Sequence, residues 1–96
     1  MQFRPELERL ATLGATDVTA AEINPSIIVE LVDDAHDESL DLDERADEAD
    51  LRGDTDHAAY LRQEAAAWRA TIVLLRQMAA AHEEAASVVV AGRGVA

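Results

Sequence analysis

The chain has 96 residues, a net charge of −12 from 20 acidic and 8 basic side chains, and no cysteine. That length supports one small domain. The absence of cysteine excludes disulfides and thiolate metal sites, and the charge disfavours direct binding to nucleic acid or anionic lipid.

Apolar residues make up 49% of the chain, but the aromatics are only Phe3, Tyr60 and Trp68. Much of the apolar fraction is alanine, which favours helix and buries little area per residue. Such a core is thin, so help from a second chain is expected. The start of the sequence lacks the apolar stretch of a signal peptide. The longest run of large apolar residues, Ile72-Val73-Leu74-Leu75, is far below a membrane span. A cytoplasmic location is the expectation.

The first element predicted is a short helix over residues 5–13. Pro5 suits a first helical position, Glu6 and Glu8 lie in the first turn, and Gly14 can end it. Residues 15–23 read as a connector holding at most one helical turn. Its Thr19-Ala20-Ala21-Glu22 has the spacing of a capping box, but Pro25 follows before any apolar period develops.

Asn24-Pro25 is a start signal, with Asn as N-cap and Pro at the first helical position. A stripe then runs Ile28, Val32, Ala35, Ser39, Leu42, Ala46, Ala49, stepping by four and three as in a helix-pair seam. It predicts an acidic helix over 24–52, stopped by Arg52 and Gly53. The polar stretch from His36 to Asp43 is its weak point, where a break or kink at Ser39 is expected if anywhere.

Asp54, Thr55 and Asp56 offer N-caps for a second long helix over 56–90. Its seam is Ala58, Leu61, Ala65, Trp68, Ile72, Leu75, Ala79, His82, Ala86 and Val89. Gly92 and Gly94 then predict a tail over 91–96. Folding the two seams about Gly53 pairs Ala46 with Leu61, Leu42 with Ala65, Ser39 with Trp68 and Ala35 with Ile72. In most layers a large side chain faces a small one, as interdigitation requires. The predicted fold is therefore all-α, a long antiparallel helical hairpin of coiled-coil type with a short N-terminal helix, completed as a bundle by oligomerisation.

A second apolar stripe on the last helix (Ala67, Thr71, Leu74, Met78, Ala81, Ala85, Val88) widens its apolar arc beyond what one facing helix covers. Leu74, Met78, Ala81, Ala85 and Val88 are accordingly the candidate partner-binding residues. The densest charge is elsewhere: eleven of the residues from Glu30 to Asp50 are acidic, relieved only by Arg45. The simple reading is a solvated outer face. Part of it is structural, because Arg62, Arg69 and Arg76 recur at seven-residue spacing on one flank of the last helix. The expected position of Arg69 is beside Asp34, Glu38 and Asp41. The sharper reading makes Asp33, Asp37, Asp41, Glu44, Asp47 and Glu48 a mimic of a phosphate backbone, directed at a basic partner protein.

Motifs for chemistry are weak. Asp33-x-x-His36 and Asp54-x-x-His57 have the helical spacing of carboxylate-bridged metal sites, but His57 at the tip, His36 midway and His82 near the far end of the hairpin put neighbouring histidines roughly 20–25 Å apart at ~1.5 Å per residue. No glycine-rich phosphate loop occurs, and Ser26, Ser39 and Ser87 have no histidine and acid gathered around them. His82 falls on the seam and reads as a hydrogen-bonded core residue near Asn24. Arg52-Gly53-Asp54 reads as a helix end and a helix start. No cofactor, no metal and no catalytic residue is therefore expected. The function expected is a non-enzymatic interaction or assembly subunit, such as a phage or mobile-element accessory protein. It self-associates and binds another protein, with no direct contact to nucleic acid or membrane.

Overall fold

A computed structural model describes the backbone of residues 3–95 and the side chains of residues 3–87. Four helices follow one another: α1 (Phe3–Leu10), α2 (Ala15–Ile23), α3 (Pro25–Leu51) and α4 (Thr55–Val95). No strand occurs among the described residues. The dominant packing is α3 against α4 as an antiparallel hairpin, giving a rod of 67 × 19 × 16 Å. The all-α hairpin expected from the heptad seams is the fold.

The hairpin turn is built by local chemistry. Gly53 has φ +80°, in the left-handed region that an L side chain rarely adopts. Its N–H donates to the Asp50 carbonyl at 2.9 Å, and the Asp54 N–H donates to the Ala49 carbonyl at 2.9 Å. These two bonds satisfy the last carbonyls of α3 in a Schellman motif. Asp54 then caps α4, its Oδ1 accepting from the His57 N–H at 3.2 Å. At the other end of α3, Asn24 Oδ1 accepts from the Ser26 N–H at 3.1 Å, with Pro25 in the first turn. Both helix starts use the residues that the sequence offers for them.

The buried face of α3 is Ile28, Leu31, Ala35, Ser39, Leu42, Ala46 and Ala49. This is the predicted seam except that Leu31 replaces Val32, which is half-buried. The helix is unbroken at Ser39. That hydroxyl is buried and donates to the His36 carbonyl one turn back at 2.8 Å, so it needs no partner across the seam. Near the turn, Leu42, Ala46, Ala49, Ala58, Leu61 and Ala65 form one cluster with Trp68 against it. Near the chain termini, Leu7, Val18, Ala21, Ile28, Leu31, Leu75 and Met78 form a second.

Three boundaries depart from the sequence expectation. α1 starts at Phe3 and ends at Leu10, because Ala11 adopts φ 54° and reverses the chain before Gly14 is reached. Residues 15–23 form the nine-residue helix α2 in place of a connector, with Gly14 as its N-cap. Its helical form follows from burial: Val18 and Ala21, on one face at i and i+3, are fully covered by the rest of the terminal cluster. The expected tail is also helical, since α4 continues through Gly92 and Gly94 to Val95.

Candidate protein-docking surfaces

The α1–α2 unit folds back on the free end of the hairpin and is fastened there by polar contacts. The Arg4 guanidinium donates from Nε to Glu22 Oε1 at 3.1 Å, from Nη1 to Glu8 Oε1 at 3.2 Å and from Nη2 to Thr19 Oγ1 at 2.7 Å. Thr19 and Glu22, which looked like a capping box, are thus interior residues of α2 that receive Arg4 on one face. The bond from Arg4 holds the Glu22 carboxyl below its ordinary range, outweighing its partial desolvation. Glu22, and after it Glu8, raise Arg4 in return. A second fastening joins the Thr12 hydroxyl to the Thr71 hydroxyl, which also donates to the Ala67 carbonyl at 2.9 Å. His82 closes the end, its Nε2 donating to the Ala21 carbonyl at 3.1 Å.

This unit changes which part of α4 is open. Met78, expected on a partner-binding face, has no exposure because Leu7, Val18 and Ala21 cover it. Thr71 is buried likewise. The reason is that α2 is a helix: two short helices cover more of the wide apolar arc than α1 alone. Of the other residues proposed for that face, Leu74 and Ala81 are half-buried, Ala85 is exposed, and the Val88 side chain lies outside the described residues.

What remains open is displaced toward the flank facing away from α3. A groove of about 550 Å³ runs between α1 and α4, lined by Glu6, Arg9, Leu10, Ala70, Val73, Leu74 and Gln77. Val73 stands in it 53% exposed, a large apolar side chain on a wet surface. Farther along α4, Ala80, Glu83, Glu84 and Ser87 line a second depression. Leu74, one of the partner-binding residues expected from the sequence, lines this groove, and so do Leu10 and Val73, which that expectation did not include. Val73 belongs to a third stepping pattern on α4 (Ala66, Ala70, Val73, Gln77, Ala80) that is visible in the sequence but diluted by alanine and glutamine.

The acidic surface lies on α3. Asp33, Asp37, Asp41, Glu44, Asp47 and Glu48 are all exposed. Arg62 of α4 donates to Asp50 at 2.6 Å and Asp47 at 3.1 Å, Arg69 donates to Asp43 at 3.0 Å, and Arg45 lies 3.6 Å from Asp41. Asp50 first and Asp47 second raise the Arg62 guanidinium. Arg69 therefore does not meet Asp34, Glu38 or Asp41. Helix side chains lean toward their own N-terminus, which for α4 is toward the turn, so the arginines reach later residues of α3. Arg76 has no ion-pair partner among the described residues.

Asp54 is used as a cap, and His57 stacks on Tyr60 with ring centroids 6.3 Å apart. Among the described residues no three His, Asp or Glu side chains are placed to hold a metal ion. Among them also no helix is long and apolar enough to cross a membrane.

A family model described as the TY-Chap C-terminal domain matches residues 1–82. The chain belongs to this family. Membership gives it a chaperone-like, protein-interacting character. The TY-Chap match ends at His82, the residue whose ring closes the α1–α2 unit onto the hairpin. It thus takes in α1, α2, α3 and the part of α4 that they cover. Comparison with curated proteins and with solved structures gave no significant match.

Proposed function

We propose that this chain is a non-enzymatic protein-docking domain of a chaperone-like cytoplasmic protein, and that it self-associates through the open flank of α4. One observation carries the reading: the groove between α1 and α4 exposes Val73 beside Leu10 and Leu74, although α1 and α2 have already covered Met78 and Thr71. An apolar groove rimmed by polar residues is the kind of surface at which proteins associate. Residues 1–82 form the domain proper, and α4 beyond it is an extension available to the same contact. The test is mass in solution by light scattering or sedimentation. A value near twice the 10.4 kDa of the chain, held or strengthened in about 0.5 M salt, supports the reading. Val73→Asp should return the protein to a monomer, and a wild-type monomer at all concentrations would remove the proposal.

A second reading rests on a different observation. Asp33, Asp37, Asp41, Glu44 and Glu48 step by four and three along one exposed face of α3, and of these only Asp41 has a cation near it among the described residues. Such a row resembles a phosphate backbone to a basic partner. Against it, Val29, Leu40 and Leu51 stand 52–89% exposed on the same helix, and a nucleic-acid mimic has no use for them. Binding of a basic DNA- or RNA-binding protein that collapses between about 0.05 and 0.5 M salt, as screening shortens, is the outcome this reading requires.

A further inference from the structure

Charge is segregated between the two long helices. α3 carries eleven carboxylates against Arg45, which is ten of the chain's twelve net negative charges. α4 carries Asp56, Glu64, Glu83 and Glu84 against Arg62, Arg69, Arg76 and Arg93, and is neutral overall. Two copies meeting through α3 would bring like charge against like charge. The α1–α4 flank lets a second copy approach without that repulsion, since α1 balances Glu6 and Glu8 with Arg4 and Arg9, and this is the flank on which the apolar groove opens.

We infer that the groove receives the α4 helix of a second copy in antiparallel orientation, about a twofold axis passing near Val73. The inference rests on the self-association reading above and fixes its geometry. Val73 is the exposed apolar residue at the middle of the groove, so a twofold axis there sets Val73 against its mate, with Ala70 and Gln77 on either side. Leu10 and Leu74 wall the seat on the α1 side. The depression lined by Ala80, Glu83, Glu84 and Ser87 then falls opposite the segment from Ala59 to Ala66 of the other copy. In that register Arg62 and Glu84 stand opposite one another, each eleven residues from Val73 on either side; Arg62 holds Asp47 and Asp50 of its own α3 through Nη2, and its Nε and Nη1 are the donors left to face the incoming carboxylate. The twofold axis makes that pair twice. A parallel arrangement sets Arg69 against Arg69 and Glu84 against Glu84, and is disfavoured by the same charges. An antiparallel twofold contact is also closed, so it ends at a dimer and does not propagate.

The lack of cysteine makes site-specific spin labelling direct. Pulsed electron-electron resonance on Ala59→Cys and Arg76→Cys reads the orientation. At ~1.5 Å per residue, mates at position 59 lie about 42 Å apart along the helix axis, and mates at position 76 only about 9 Å. A short distance at 76 together with a long one at 59 is the expected result. Short distances at both sites mean a parallel pair and overturn the inference. A long distance at 76 in a protein of dimer mass places the contact elsewhere and overturns it too, while leaving self-association standing. A monomer by mass removes both. Independently, Glu84→Arg should raise the dimer dissociation constant roughly fivefold or more, since each of two exposed ion pairs becomes a repulsion. An unchanged constant contradicts the register.

Discussion

At the scale of single residues, two backbone positions with positive φ control where the chain turns, and they hold opposite residue types. Gly53 has the residue its φ of +80° asks for, while Ala11 adopts φ 54° without being glycine. A left-handed L residue costs about 1–2 kcal/mol, so Ala11→Gly should stabilise the protein by about 1 kcal/mol in urea titration. Gly53→Ala should destabilise it by a similar amount, purely through the backbone, because a Cβ there meets nothing within 4 Å. The contrast explains what could be read in advance. Gly53 announced its turn, and Asn24, Pro25 and Asp54 announced their caps. Ala11 gives no signal at all, so the sequence places the end of α1 too late, at residue 13 instead of Leu10.

Glu22 supplies a pH dependence with a definite sign. Its folded-state carboxyl is held below the ordinary range by Arg4, so the contribution is fully present above the unfolded value of about 4.3. It is lost as the pH falls below that value through the depressed folded one. The stability gap between wild type and Glu22→Gln should therefore be constant from neutral pH down to about 5 and close on further acidification. A gap that persists at pH 2 would show that Glu22 acts through packing and not through charge.

At the scale of elements, α1 and α2 decide how much of α4 is dry. Leu7 is fully buried among Val18, Ala21, Leu75 and Met78. Leu7→Ala should cost about 2–4 kcal/mol, a large share of the stability of a domain this small. If α1 covers Met78, the variant should also bind a hydrophobic dye that the wild type does not. A loss of stability without dye binding would mean that α2 alone keeps Met78 covered. The sequence disclosed the long helices through their seams because each repeats over several turns. It concealed α2, whose nine residues carry only two buried positions, Val18 and Ala21. The groove-bearing flank of α4 was legible to the same partial degree. Leu74 followed from periodicity, but the exclusion of Met78 depends on a helix that periodicity could not reveal.

At the scale of the whole molecule, the charge distribution opposes the fold that the seams create. Ten net negative charges along α3 repel one another, and the ion pairs from Arg62 and Arg69 are exposed ones, worth about 0–1 kcal/mol each. Repulsion summed along the helix outweighs these few attractions, so screening should help. Raising salt from about 0.01 to 0.5 M shortens the Debye length from about 30 Å to a few ångströms. The Tm should rise across that range, and a Tm that falls would mean that the arginine pairs dominate.

The division of the apolar core into two clusters also sets an order in time. Around the turn, the joined residues are near neighbours in the chain, as Ala49 and Ala58 are. At the free end, Leu7 and Met78 must find one another across most of the sequence. Closing the small loop costs the least chain entropy, so the hairpin should nucleate at Gly53 and zip outward, with α1 the last piece to dock. Opening runs in reverse. The end that closes last is the end bearing the groove, and each transient lifting of α1 widens the apolar strip available to a visiting chain.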